Sequence, residues 1–309
     1  MTNTMLPRRV LITGASGFVG QHLVAALAQD HPDCDAIVSS FDVRDAAAVH
    51  SAVKAAAPDA CVHLAGITTL GQAREDPDLA WQVNLHGTLN LARAVLAEAP
   101  ACRFLYVSTS EVYGASFRGG VPVTELTPLA PMNTYAASKA AADLAIGAMV
   151  NEGLRAIRVR PFNHTGPGQT EAFVVPAFAR QMTRIEAGLQ PARMKVGALE
   201  PARDFLDVRD ICTAYIACLT QPNSALPPGT ILNLASGIPR RIGDILQAMV
   251  RLAGIEVAVE SDVGLLRPSD IPLACGDSSR AHQLLGWAPR IAWEQTLTDV
   301  LAYWRGRVA

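Results

Sequence analysis

Tyr135 and Lys139, in the run Tyr135-Ala136-Ala137-Ser138-Lys139, place a phenol and an ammonium four positions apart. On a helix this spacing puts both side chains on one face. An ammonium beside a phenol favours the phenolate and draws its pKa down from about 10, toward the range where protons exchange near neutrality. Such a pair can give a proton to, or take one from, the oxygen of a carbonyl undergoing reduction. Tyr and Lys also fall four apart by chance on many amphipathic helices, so the pair takes its meaning from what surrounds it.

A second chemical signal lies near the N-terminus. The apolar run Arg9–Thr13 leads directly into Gly14-Ala15-Ser16-Gly17-Phe18-Val19-Gly20 and then a helical pattern. Glycines between a first strand and a helix permit a tight turn and close approach of backbone N–H groups to a pyrophosphate at the positive helix end. The spacing is G-x-x-G-x-x-G. It predicts a dinucleotide cradle in which Gly14, Ser16, Gly17, Phe18, Val19 and Gly20 contact cofactor. About 20 residues beyond such glycines an acidic residue often selects NAD. Here the chain reads Ile37-Val38-Ser39-Ser40-Phe41, with no carboxylate, so either NADP or NAD is permitted. Asp42, followed by Val43, is a candidate adenine contact or a helix cap, and Arg44 is a candidate neighbour of a ribose phosphate or a solvated residue at a helix start.

The elements that must carry these groups follow from periodicity. Arg9–Thr13, Ala36–Val38, Ala60–Leu64, Arg103–Ser108 and Arg155–Arg160 read as strands; His22–Gln29, Ala46–Ala57, Pro77–Glu98 and Tyr135–Asn151 read as helices. The alternation predicts an α/β fold, a doubly wound parallel-sheet Rossmann domain, spanning residues 1–160 plus about 205–235. Turn-rich, arginine-bearing segments after Arg160 predict a smaller interleaved C-terminal substrate domain, mainly 161–204 and 236–309. Phe205–Leu219 and Thr230–Leu234 have helix and strand character and are expected to return to the main sheet.

Bulk properties narrow the partners. The chain has 309 residues, half of them hydrophobic, with a formal net charge of −2, enough for a substantial core and without a global pull toward nucleic acid or anionic membrane. No signal peptide, no window resembling a membrane span, and scattered cysteines and histidines lead to an expected cytoplasmic protein with no metal.

The glycine turn, Leu64-Ala65-Gly66, Asn84, Ser108-Thr109-Ser110-Glu111-Val112-Tyr113-Gly114 and Tyr135-x-x-x-Lys139 occur in that order. With them the chain resembles the extended short-chain dehydrogenase/reductases, the NAD-dependent epimerase/dehydratase family of nucleotide-sugar enzymes. The resemblance implies that Tyr135 is the acid or base and that Lys139 also holds the nicotinamide ribose. It further implies that Thr109, with Ser108 and Ser110 as alternatives, bonds the reacting oxygen, and that Leu64, Ala65 and Gly66 border the cofactor. Asn84 matches a family position near the active-site helix, or is a helix-to-helix hydrogen bond.

Later segments, Arg160–Gln169, Phe173–Pro176, Arg203–Val208 and Arg267–Pro272, look like the branch that reduces the C4 ketone of GDP-4-keto-6-deoxy-mannose. That likeness implies Pro161, Phe162 and His164 at the cofactor, and Thr109, Ser110, Glu111, Tyr135, Asn163, Val174, Arg180, Arg203, Arg267 and Asp270 at a GDP-sugar. Arginine suits a diphosphate because its planar fork makes paired charge-assisted bonds. Asp207 or Asp210 is expected to cap the following helix. Ser108–Glu111 also match the GDP-mannose 4,6-dehydratases, in which the Glu is a base, so dehydratase or epimerase chemistry stays open. A non-catalytic cofactor sensor is a third class. The family also implies a homodimer through two helices per subunit, with Pro77–Glu98 and Tyr135–Asn151 as candidates.

Overall fold

The computed structural model describes residues 6–38, 40–265 and 271–308. From the N-terminus, β1 (Arg9–Thr13) enters α1 (Phe18–Asp30), and β2 (Asp35–Val38) leads through α2 (Ala46–Ala56) to β3 (Ala60–His63). Two short helices, α3 (Leu70–Glu75) and α4 (Pro77–Trp81), precede a π-helical turn over Gln82–Gly87 and then α5 (Thr88–Glu98). The stretch expected as one helix, Pro77–Glu98, is continuously helical within those bounds, with a π turn at Gln82–Gly87 in which Asn84 is buried. After β4 (Arg103–Val107) comes a 3-10 segment, Ser110–Gly119, then α6 (Thr134–Met149) and β5 (Arg155–Pro161). The first helix begins four residues earlier than expected, so Phe18, Val19 and Gly20 form its opening turn.

The second half runs β6 (Asn163–Thr165), α7 (Val174–Glu186), β7 (Arg193–Val196), β8 (Ala202–Asp207), α8 (Val208–Thr220) and β9 (Ile231–Leu234). It closes with β10 (Pro239–Arg241), α9 (Ile242–Ala253), β11 (Ala258–Ser261), β12 (Leu273–Ala274), α10 (Ser279–Leu285) and α11 (Trp293–Arg305).

Six strands form one parallel sheet in the order β2-β1-β3-β4-β5-β9. Successive strand residues face opposite sides, and both sides are covered. On β1, Leu11 packs with Val53, Leu91, Phe104 and Ile146, on the face carrying α2, α5 and α6. Its neighbours Val10 and Ile12 pack with Leu23, Leu105, Ile211 and Tyr215, on the face carrying α1 and α8. A third core, with Phe178, Met182, Met194, Ile245, Met249 and Val300, joins α7, α9 and α11 beside β7.

The chain leaves β1 toward β2 and returns on the other side to β3. In open α/β sheets a ligand crevice forms outside the carboxyl ends of strands at such a switch point. Thr13 and His63 end the two strands that flank it, paired in register.

Candidate active site

Two glycines at the switch point have positions no other residue could fill unchanged. Gly14 has φ +71°, and a Cβ there would lie 2.6 Å from the Ala65 nitrogen. A Cβ on Gly20 would lie 2.4 Å from the Gly14 carbonyl oxygen. The turn from β1 is thereby pressed against Leu64-Ala65-Gly66, and Ser16 and Gly17 are exposed at its tip. No side chain caps α1 at Gly17, which leaves the first-turn N–H groups facing outward. This shape fits a dinucleotide pyrophosphate.

Asp42 and Arg44 close on each other at the surface, with Arg44 Nη2 2.5 Å from Asp42 Oδ2. The Arg44 hydrogen bonds hold the Asp42 carboxyl down at about 2. The cap of α2 is Asp45, which accepts from the Ala47 and Ala48 nitrogens, so Asp42 is not that cap. Val43 is buried against Gly87 of the π turn.

Across the crevice, Thr109 opens the 3-10 segment, its Oγ1 accepting from the Glu111 nitrogen at 3.2 Å. The Thr109 hydroxyl lies close enough to the Tyr135 phenol to shift its pKa. Burial pushes that phenol up to about 12, the nearby Thr109 hydroxyl pulls it down in part, and the Glu111 carboxylate pushes it up. The lowering by Lys139 expected from the helical spacing is not found. Lys139 is buried, and its Nζ donates to the Val107 carbonyl at 2.5 Å while lying 4.7 Å from the centre of the Tyr106 ring. Burial draws the ammonium down to about 8, and Asp143 opposes that shift.

Asp143, which the sequence reading passed over, lies one helical turn beyond Lys139. Its fully buried carboxylate accepts from Arg160 Nε at 2.9 Å and Nη2 at 3.0 Å, and from Arg158 Nη1 at 3.1 Å. Arg160 Nη1 donates to the Tyr113 hydroxyl at 3.0 Å, which donates to Asn233 Oδ1 at 2.7 Å. The i+4 spacing from Lys139 was the readable signal for Asp143, since it repeats the relation of Tyr135 to Lys139. Asn84 is also a strut: its Oδ1 accepts from the Ile67 nitrogen at 2.8 Å, and its Nδ2 donates to Ser138 Oγ at 3.0 Å.

Beyond the main sheet, β6 pairs with β8, placing Asn163 opposite Phe205. Arg203 and Glu111 are half-buried and face each other: burial lowers the Arg203 pKa and raises that of Glu111, and each charge moderates the other's shift. Ser110 is buried beside them in sequence. Val174 is the first residue of α7, whose opening has no side-chain cap.

The Pro161–Gln169 segment lies over α1. His164 stacks at 6.3 Å on Phe18, and its Nδ1 donates to the Phe162 carbonyl at 2.9 Å. The Phe162 ring is buried against Phe117 and Gly276, so this residue offers the cradle backbone rather than its ring. Pro161 is buried at the end of β5.

The structure thus gathers Thr109, Glu111, Tyr135, Lys139 and Arg203 along the strand ends. Arg180 pairs with Glu171 at 3.9 Å and lines a small cavity of about 70 Å³ between α7 and α11 with Thr183, Arg184, Trp304 and Arg307. Arg267 and Asp270 lie outside the described residues. Asp207 caps α8 through the Arg209 nitrogen, whereas Asp210 accepts from the Arg290 and Ile291 nitrogens. Among the described residues no group of three or more His, Cys, Asp or Glu could hold a metal ion.

Comparison with known proteins matches this architecture. The chain is 36% identical over 306 residues to the GDP-6-deoxy-D-mannose reductase of Pseudomonas aeruginosa, covering 98% of this chain and 99% of that protein. It is 28% identical to the GDP-6-deoxy-D-talose 4-dehydrogenase of Aggregatibacter actinomycetemcomitans, covering 90% and 91%. The solved structure of RMD from Pseudomonas aeruginosa complexed with NADPH superposes with a TM-score of 0.88 at 35% identity, covering 97% of this chain and 99% of that one. The family model for GDP-mannose 4,6 dehydratase matches residues 29–300, and the chain belongs to that family.

Proposed function

We propose that this protein reduces the C4 ketone of a GDP-4-keto-6-deoxy-hexose, giving GDP-rhamnose or a related GDP-6-deoxy-sugar. The observation that carries this reading is the placement of Thr109 beside the Tyr135 phenol, one helical turn from Lys139, in a chain that matches a GDP-6-deoxy-D-mannose reductase over almost its whole length. NAD(P)H, when bound in the glycine cradle, supplies the hydride to C4.

The side chains then have separable tasks. Thr109 and Tyr135 bring two O–H groups to one place, so that a ketone oxygen there accepts from both. A phenol pushed up to about 12 is protonated at neutral pH, as a proton donor to a developing alkoxide must be. Lys139 fixes the Val107 carbonyl and carries positive charge under the phenol's helix turn. Arg203, with Asn163 across the β6–β8 pair, supplies the charged fork that suits a diphosphate. The absence of a carboxylate along Val38–Phe41 admits a phosphorylated ribose, and with Arg44 nearby we favour NADPH over NADH.

Glu111 supports a second reading. Its half-buried carboxyl, raised toward protonation at the edge of the same site, is the group a 4,6-dehydratase of this family would use as a base. The two readings differ in redox balance. Incubated with GDP-4-keto-6-deoxy-mannose, a reductase consumes one NADPH per product. A dehydratase converts GDP-mannose with no net loss of NADPH absorbance. Conversion of GDP-mannose alone would overturn the reductase reading, and cofactor binding without turnover of either sugar would point to a cofactor sensor.

We also infer a homodimer through α5 and α6, on whose outer side Leu144 is 60% exposed. Sedimentation reads this directly, with monomers at micromolar concentration refuting it. No helix among the described residues is long and apolar enough to cross a membrane, and we favour a cytoplasmic location.

A further inference from the structure

His63 closes β3 at the switch point and is buried, 1% exposed. Both ring nitrogens are engaged: Nδ1 is 2.7 Å from Thr13 Oγ1 and Nε2 is 2.9 Å from Thr88 Oγ1. Bond polarity follows from the partners. Thr88 Oγ1 donates to the Asn84 carbonyl at 2.7 Å, and a carbonyl can only accept, so the one Thr88 proton is committed. The Nε2 contact must therefore be an imidazole N–H donating to Thr88. Burial, with the Lys139 charge adding to it, draws the ring down to about 3, so it is neutral and Nδ1 is an acceptor. Thr13 then donates to Nδ1, and its oxygen accepts from the Ala65 N–H at 3.3 Å.

All donation consequently runs one way, from the Ala65 N–H through Thr13, His63 and Thr88 to the Asn84 carbonyl. The ends of this chain have different duties. Thr13 and Ala65 flank the glycine turn, where Gly14 touches Ala65. Asn84 bonds Ser138, and Ser138 Oγ donates to the Tyr135 carbonyl at 2.9 Å, inside the turn that holds Tyr135 and Lys139. A histidine that merely filled a polar gap in the core would need no such continuity.

We propose that His63 is a positioning residue which, through Thr13 and Thr88, fixes the spacing between the cofactor turn and the catalytic helix. The proposal deepens the reductase reading, and its effect on turnover rests on that reading. Its effect on cofactor affinity does not.

The test uses the full-length protein with Thr13→Val, Thr88→Val, the double variant, His63→Gln and His63→Phe. NADPH dissociation constants come from fluorescence titration, and kcat from NADPH consumption with GDP-4-keto-6-deoxy-mannose, all below each variant's unfolding transition. Thr88→Val, nearly isosteric, removes the acceptor of the ring N–H and should weaken NADPH about tenfold, because a buried donor loses its partner. The same variant should lower kcat by about tenfold or more, since small misplacements of reacting groups are costly in rate. The double variant should be no worse than the worse single, because either substitution interrupts the same chain. His63→Gln, which keeps a donor and an acceptor, should recover most of what His63→Phe loses. Additive effects in the double variant, or NADPH affinity unchanged in both Thr88→Val and His63→Phe with only thermal stability lowered, would overturn the proposal. A wild-type protein that binds NADPH but leaves the keto-sugar untouched would refute the reductase reading, while the affinity cycle would still decide the relay.

Discussion

Asp143→Asn isolates the buried charge that opposes the lowering of the Lys139 pKa. The wild-type carboxylate is completely buried and accepts two bonds from Arg160 and one from Arg158. Removing one partner of a buried ion pair costs about 3–5 kcal/mol, most of it from the charge left behind. Here the remaining cations keep other acceptors: Arg158 reaches the Asp143 and Gly229 carbonyls, and Arg160 the Glu125 carbonyl and Tyr113 hydroxyl. Asparagine also preserves one carbonyl oxygen. The lower end applies, about 3 kcal/mol at pH 7.5.

The pH dependence has a definite sign. Burial opposes ionisation of Asp143, but the Arg160 hydrogen bonds and charge, joined by the charge of Arg158, leave its pKa below the ordinary value. Its stabilisation is therefore complete above about pH 4 and is lost as pH falls through the depressed folded value. Lys139 behaves oppositely: a base drawn down to about 8 penalises folding below that pH and releases the penalty as pH rises toward 10.5. Without Asp143 the ammonium loses the neighbour that favours it, so the alkaline limb of kcat/KM should move to lower pH. Urea denaturation at pH 7.5 and at pH 3.5, with pH–rate profiles of both proteins, checks the two halves. An unchanged urea midpoint at pH 7.5, together with an unmoved alkaline limb, would refute this account of the Lys139 support.

Tyr135→Phe should lower kcat by about 10²–10⁴-fold, the contribution of a positioned acid, while NADPH affinity by fluorescence changes less than about threefold; near-normal turnover would remove Tyr135 from its role. Glu111→Gln separates the chemistries: reduction of the keto-sugar should persist within about threefold, whereas a dehydratase would lose about 10²-fold or more in elimination from GDP-mannose. Arg44→Ala should raise KM for NADPH about tenfold and leave that for NADH unchanged, the scale of one charge-assisted bond to a phosphate. Equal effects on both cofactors would show that Arg44 reads no ribose phosphate.

The parts legible in sequence are those whose physics is local. A positive φ and a backbone contact at Gly14 demand glycine whatever lies elsewhere, so the cradle showed itself in the spacing. Strand-to-helix alternation likewise gave the covered parallel sheet. Less legible was whatever depends on where a long side chain ends. Helical spacing put Lys139 on the face of Tyr135, but four methylenes carry its Nζ to the Val107 carbonyl, and the phenol responds instead to burial, Thr109 and Glu111. Phe162 follows a motif, yet its ring packs in the core because Gly276 leaves room beneath it.

The π turn at Gln82–Gly87 sits inside a helical run, Pro77–Glu98, whose bounds the apolar pattern marked. A π insertion leaves helical periodicity nearly intact on either side, so it is invisible until a tertiary partner identifies it. The partners here are Ile67, Ser138 and, through the Asn84 carbonyl, Thr88 and His63. Asn84 thus joins the loop after β3 to α6. His63 had no sequence signal beyond ending a buried strand, because its function lies in linking groups 50 positions behind it and 25 ahead. Such links are non-local and directional, and a polar residue at a strand end facing the switch point is the pattern by which they can be sought.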